Sequence, residues 1–309
     1  MNRRGSTTAR AALRARLGDD AVGALTASEL FAASLDRYAE LIASVDGALA
    51  GFMTRGEDRE FGAHTAAMLD YLGMSRAARD HHAALADWME HRRAFTKVEW
   101  ARTGAGAGAG VAPLAAIYFR RRPAVTDVVA RMAGWGVSAA GRELVAEVAG
   151  LLGKQSVHFV AAAFRPGSEV HHKLYFSQLV AADTHAEVAR RVEAMVRRFG
   201  GTPTQVALWQ RHHAATVRRN DSTIFVSISM TADAPSPSFK IDYPEVDGAR
   251  AAAWAGGDAA IEPAAAALCA QAGCARLSFL GVRFQPDREL PSVKLYCDVP
   301  GLPESPGRP

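Results

Sequence analysis

The stretch VHHKLYFSQLV (170–180) changes character at every second residue: Lys173, Tyr175 and Ser177 oppose Leu174 and Phe176. A β-strand turns successive side chains to opposite faces. The stretch therefore reads as a strand with one apolar face and one Lys/Tyr face. SVKLYCDV (292–299) repeats the pattern, with Ser292, Lys294, Tyr296 and Asp298 against Val293, Leu295, Cys297 and Val299. In SFKIDY (238–243), Lys240 and Asp242 oppose Phe239, Ile241 and Tyr243. In LSFLGVRF (277–284), Phe279, Gly281 and Arg283 oppose Leu280, Val282 and Phe284, and in LAAIYFR (114–120), Tyr118 and Arg120 oppose Ile117 and Phe119.

Each of these strands has a partner close by. The pairs are 95–103 with 112–122, 156–166 with 170–180, 222–230 with 238–243, and 275–285 with 292–299. Helical periodicity separates them, at 125–133 and 142–153, at 186–199 and 203–215, and at 248–254 and 261–271. Tyr118, Tyr175, Asp242 and Tyr296 follow one another at intervals of 57, 67 and 54 residues. A recurring interval of this size marks a repeat of strand, strand, helix, helix. Upstream, TASELFAASLDRYAELI (26–42) reads as a helix, as do 63–72 and 76–91. The segment 48–62 between the first two reads as a short hairpin turning at Arg55–Asp58.

The apolar strand faces suit a cover of helices. The polar faces either meet solvent on an open sheet or line the lumen of a closed one. Eight or ten strands suffice for a barrel that holds a ligand. Buried lysines without counter-charge are costly, so a basic lumen calls for an anionic, phosphate-like guest.

These units, with a Lys-x-Tyr on the second strand of the hairpin, resemble the ABBA-fold aromatic prenyltransferases. The residues that carry the resemblance are His172 to Ser177 (HKLYFS), Phe239 to Asp242 (FKID) and Val293 to Tyr296 (VKLY). It covers roughly residues 20–300. The layout is similar to the shorter bacterial members acting on small aromatics, and to the peptide prenyltransferases of the cyanobactin type.

The resemblance implies an α+β fold: a closed antiparallel β-barrel of about ten strands built from αββα units and ringed by helices. The implied activity is transfer of a dimethylallyl or longer prenyl group from an allylic diphosphate to an aromatic acceptor. The acceptor would be an indole, a phenol or an aromatic residue of a peptide, as in natural-product biosynthesis, secondary metabolism or ribosomal-peptide tailoring. By position, Lys173, Lys240 and Lys294 would bind the diphosphate, with Arg283 and Arg120 on the same strand phase. Tyr175, Tyr296 and Tyr118 would shield the allyl cation. Glu99, in phase with Lys97, is the candidate acid, and Arg55 or Arg59 the candidate base of the first hairpin. Asp242 stands where the family often has Tyr; it would orient Lys240, weaken diphosphate binding, or coordinate Mg²⁺. The chain has no D-D-x-x-D, since Asp19-Asp20 runs on into Ala-Val-Gly. No cofactor is then required, with Mg²⁺ optional. The rival reading is a non-enzymatic barrel that holds an anionic or lipid-like ligand in a basic lumen.

Composition narrows the field further. The chain has 309 residues, 36 Lys+Arg, 32 Asp+Glu and 49% apolar residues. A net charge of +4 is too small to indicate nucleic acid. No apolar run reaches membrane-spanning length. The odd set of Cys269, Cys274 and Cys297 lacks a C-x-x-C, which argues against a disulfide framework and for a cytoplasmic protein. The sequence-adjacent pairs His81-His82, His171-His172 and His212-His213 point apart on regular elements, so no metal site is expected. GAGAGAG (104–110) joins two strands and does not fit G-x-G-x-x-G, so it reads as a hairpin loop. The expected organisation is a flexible N-terminus (1–18), one barrel domain (19–300) and a disordered tail (301–309). The expected state is a monomer whose partners are a prenyl diphosphate and an aromatic small molecule or peptide.

Overall fold

The computed structural model describes residues 39–44, 49–55, 65–66, 68–70, 72–103, 110–200, 202–217, 222–232 and 235–299. The chain order is β1 (Ala39–Ser44), β2 (Leu49–Arg55), α1 (Arg76–Trp88), β3 (Arg93–Thr103), β4 (Gly110–Phe119), α2 (Val125–Gly134) and α3 (Ala139–Leu152). Next come β5 (Phe159–Phe164), β6 (His171–Val180), α4 (His185–Met195) with a π turn (Val196–Gly200), α5 (Pro203–Thr216), β7 (Ser222–Met230) and β8 (Pro235–Val246). The chain closes with α6 (Gly248–Trp254), α7 (Ile261–Ala272), β9 (Leu277–Phe284) and β10 (Ser292–Val299).

The ten strands form one closed antiparallel barrel, each paired with its neighbours in sequence. The seam is β1, which pairs with β10 (Ile42 opposite Tyr296) and with β2 (Ile42 opposite Gly51). Closure leaves none of the ten described strands at a free sheet edge.

Short polar residues begin several helices by accepting a backbone N–H. Ser75 takes Ala78 N at 3.2 Å, Ser138 takes Gly141 N at 3.2 Å, Thr202 takes Gln205 N at 3.2 Å, and Asp247 takes Arg250 N at 2.7 Å. Gly153 and Gly273 end α3 and α7 with φ of 62° and 72°, a left-handed turn that glycine enters without penalty.

The helices cover the outside of the barrel. Leu174 and Phe176 of β6, Ile241 and Tyr243 of β8, and Leu280, Val282 and Phe284 of β9 share one core with Val148, Val192, Trp254 and Leu268 of the helices. Full burial of each such side chain is worth about 1.5–3 kcal/mol. Two polar tips in this layer are paired: Trp254 Nε1 donates to Thr216 at 2.9 Å, and Tyr243 OH lies 2.9 Å from His213 Nδ1.

The structure departs from the sequence reading in several places. Residues 39–42 are strand rather than the end of a helix; the rest of the expected helix lies outside the described residues. Leu41 and Ile42 fit either periodicity, and pairing with two strands decides the matter. Residues 49–55 are one continuous strand paired with β1 and β3, so Arg55 ends a strand rather than opening a turn; residues 56–58 of the expected turn lie outside the described residues. β5 is six residues, shorter than 156–166, and all six are buried. Finally, Cys274 and Cys297 are joined by a disulfide, where a thiol-only chain was expected. The tails 1–18 and 301–309, Arg59 and most of the 104–110 loop lie outside the described residues. Thr103 and Gly110, on either side of it, pair at the ends of β3 and β4. Among the described residues, no helix is long and apolar enough to cross a membrane.

Candidate functional site

The polar strand faces turn inward. Lys97, Lys173, Tyr175, Ser227, Ser229, Lys240, Arg283, Lys294 and Tyr296 line one pocket in the lumen. Register explains the convergence. Lys173 lies opposite Ser229, Ser227 opposite Lys240, Lys240 opposite Arg283, and Gly281 opposite both Asp242 and Lys294. Side chains directly opposite on one face stand about 4.5–5.5 Å apart at Cβ. Three strands of spaced lysines thus become one cluster.

Two carboxylates hold the cluster. Glu99 Oε1 lies 2.9 Å from Lys97 Nζ and 3.0 Å from Lys294 Nζ. Asp242 Oδ1 lies 2.7 Å from Lys240 Nζ. Burial alone would raise the Glu99 carboxyl, but the charges of Lys294, Lys97 and Lys173 hold it well below the usual range. Burial, and then neighbouring Lys97, push Lys173 well below the lysine range. Burial likewise lowers Lys294 to about 8, although Glu99 opposes it. Five basic side chains facing two carboxylates can balance a multiply charged anion.

Two glycines open the space. A Cβ on Gly281 would stand 3.0 Å from Asp242 Oδ1, 3.2 Å from Lys240 Cδ and 3.3 Å from Tyr296 Cε2. A Cβ on Gly51 would stand 2.6 Å from the Val98 carbonyl and 2.9 Å from Glu99 Cγ. Neither position tolerates a side chain without moving a charged partner.

The lysines border aromatic faces. Lys240 Nζ sits 5.7 Å from the Tyr175 ring centre and 5.2 Å from that of Tyr296, and donates to Tyr296 OH at 3.2 Å. Both rings already hold a cation between them. Tyr175 OH lies 3.4 Å from Tyr118 OH, with the rings 5.5 Å apart. Burial raises the phenol pKa of Tyr118, Tyr175 and Tyr296, so each stays neutral. Beyond them Tyr118, Phe159, Ala116, Ala161 and Leu114 form an apolar wall joined by Met53, Phe95 and Phe225. The wall comes from β4 and β5, whose inward positions are alanine and aromatic rather than lysine.

Glu40 on β1 is fully buried and accepts from Ser278 Oγ. Burial, and then the charge of Asp298, raise its carboxyl to about 8. Its charge reaches Tyr118 on the apolar side and Asp242 on the basic side.

Lys173, Lys240, Lys294, Arg283, Tyr175, Tyr296, Tyr118 and Glu99 are therefore together in the lumen. Arg120 is not: it follows the last residue of β4, is exposed, and its backbone N donates to Arg92 O at 2.8 Å. The strand phase of Arg120 is inward, but the strand ends one residue too early. Sequence reasoning missed Lys97 as a site residue, although Lys97-x-Glu99 has the spacing of the other Lys-x-Tyr and Lys-x-Asp units. It also missed Glu40, hidden in a stretch read as helix.

No family model matches the chain, and no curated protein matches it in sequence. Solved structures do match in fold. A 5-dimethylallyl tryptophan synthase from Streptomyces coelicolor, in complex with DMASPP and Trp, aligns with 100% of this chain and 94% of its own at 16% identity, TM-score 0.56. The prenyltransferase PriB, in a ternary complex with L-tryptophan and dimethylallyl thiolodiphosphate, aligns over 95% of each chain at 14% identity, TM-score 0.53. AnaPT from Neosartorya fischeri aligns over 96% of this chain and 92% of its own at 10% identity, TM-score 0.53. The fold is that of the αββα prenyltransferase barrels.

Proposed function

We propose that this protein is an aromatic prenyltransferase that joins an allylic diphosphate to an aromatic acceptor inside the barrel. One observation carries the reading. A cluster of lysines opens directly onto two tyrosine faces that already hold an ammonium, with an apolar aromatic wall beyond. A carrier of anions has no need of cation-holding faces at that junction.

Lys173, Lys240, Lys294, Arg283 and Lys97 take the diphosphate. The C–O bond breaks heterolytically, and the fixed cations stabilise the leaving charge as it develops. The allyl cation lies against Tyr175, Tyr296 and Tyr118, whose neutral faces attract it and exclude water. The acceptor ring packs on the Phe95, Phe159 and Phe225 wall and attacks through an electron-rich carbon or heteroatom. The proton then lost goes to a carboxylate. Glu40 suits this better than Glu99, since a proton acceptor works best with a pKa near the working pH. Glu99, clamped by two lysines, orients the cationic cluster. Five cations meet the diphosphate charge, so Mg²⁺ is optional.

The structural neighbours suggest where to begin, because two are complexes of a dimethylallyl donor or analogue with tryptophan. Incubation with dimethylallyl, geranyl and farnesyl diphosphates, against indoles, phenols and aromatic peptides, should give a product heavier by one prenyl unit. Lys173→Ala and Lys294→Ala should lower kcat/KM about 10²–10³-fold while the fold persists. No prenylated product from any pair, or full activity in both variants, would overturn the reading.

A further inference from the structure

On the outside of the barrel, away from the lumen, three cysteines meet at one point. Cys269 lies on α7, Cys274 just beyond it, and Cys297 on the outward face of β10. Their sulfurs all lie within 4.8 Å of one another. Cys297 is fully buried, whereas Cys269 and Cys274 are half-buried. Cys274 and Cys297 are joined in the structure, yet their Cα atoms are 7.2 Å apart. Disulfides usually span about 4.4–6.8 Å between Cα atoms. Cys269 Sγ lies 3.6 Å from Cys297 Sγ. Two thiolates on one tetrahedral zinc, each with a bond of about 2.3 Å, stand about 3.8 Å apart. The Arg276 carbonyl oxygen sits at the same centre, 3.1 Å from Cys274 Sγ and 3.5 Å from Cys297 Sγ.

We propose that Cys269, Cys274 and Cys297 form, when reduced, a tetrahedral zinc site with three thiolate ligands. Its fourth position faces water on the half-exposed side. Three elements supply the ligands, so no spacing motif in the sequence reveals the site. Reaching this state from the disulfide takes two electrons and two protons from a dithiol, which leaves as its own disulfide. Zinc then displaces three thiol protons. The ion pins α7 to β10, the strand whose inward face carries Lys294 and Tyr296, so it serves the structure and not the lumen chemistry.

The test uses the full chain, reduced with a phosphine under anaerobic conditions and titrated with Co²⁺ alone as the spectroscopic probe. The expected result is a thiolate-to-cobalt charge-transfer band that saturates at one equivalent and disappears when Zn²⁺ is added. Cys269→Ser should lose the band with an unchanged circular dichroism spectrum. This variant spares buried Cys297 and so avoids a folding defect. Absence of the band in the reduced wild-type protein would overturn the proposal. So would a band of wild-type strength in Cys269→Ser, or a Cys274–Cys297 bond that resists the phosphine, as read by mass after alkylation.

Discussion

Two single residues in the lumen carry sharp expectations. Gly281 has no side chain because Asp242, Lys240 and Tyr296 occupy the space a Cβ would enter. Gly281→Ala should destabilise the fold by about 1 kcal/mol through overpacking. The larger effect should be on ligand binding, since the crowded atoms belong to the Lys240 ion pair. Calorimetry with dimethylallyl thiolodiphosphate should show roughly tenfold weaker binding, about 1.4 kcal/mol. Wild-type affinity would mean that Lys240 is not part of the diphosphate site. Glu40 makes a second case, through pH. Its carboxyl titrates near 8 in the fold, against an ordinary value of 4.5. Below about pH 4.5 both folded and unfolded chains keep the proton. Between 4.5 and 8 only the unfolded chain releases it, so stability falls with rising pH. Above 8 both are ionised and the loss is complete. Glu40→Gln removes the titration, so it should be more stable than wild type by a few kcal/mol at pH 8 and about equal at pH 4. Urea unfolding at the two pH values reads the difference, and equal stabilities at pH 8 would refute the buried-acid assignment.

At the scale of strands and helices, the β6, β8 and β10 strands were legible because each is amphipathic with period two. An apolar outer face and a Lys/Tyr inner face survive in sequence whatever the neighbours. Helices α1 to α4 were legible for the same reason at period 3.6. β1 was not: its six residues include Leu41 and Ile42, which suit either period, and only pairing across the seam fixes them. Arg120 failed for a related reason, since phase shows direction but not where a strand stops. Glu99 shows what sequence leaves out. Its position in phase with Lys97 was readable, but the second partner, Lys294, is 195 residues away and arrives only through barrel closure. That geometry makes Glu99 the counter-charge for two buried lysines. Glu99→Gln should therefore cost about 3–5 kcal/mol, the usual penalty for breaking a buried ion pair. Dimethylallyl thiolodiphosphate should then raise Tm more in the variant than in wild type, because the ligand supplies the missing negative charge. A variant as stable as wild type, or one with a smaller ligand shift, would remove Glu99 from that role.

For the whole molecule, the net charge of +4 is unremarkable, but the barrel concentrates cations in its interior. Closing the sheet withdraws those cations from water, so without a guest two of them, Lys173 and Lys294, tend to give up protons. Lys294 falls to about 8, and Lys173 well below its ordinary range. A bound diphosphate reverses this, because an adjacent anion favours the charged form of each lysine. Binding should therefore take up protons from solution. The diphosphate is itself fully ionised at pH 8, since the second phosphate pKa is about 6, so the uptake belongs to the protein. Titration of dimethylallyl thiolodiphosphate at pH 8 should be less exothermic in Tris, whose deprotonation absorbs more heat, than in HEPES. Affinity should also fall as pH rises above 8, by up to about tenfold per pH unit for each proton taken up. Ionisation of Glu40 in the same range works in the same direction, because it adds negative charge to the lumen. The Glu40→Gln variant separates the two sources: it should keep most of the buffer-dependent heat, which comes from the lysines. Equal heats in both buffers would show that the lumen lysines are already charged before the anion arrives, and that closing the barrel does not prime them for it.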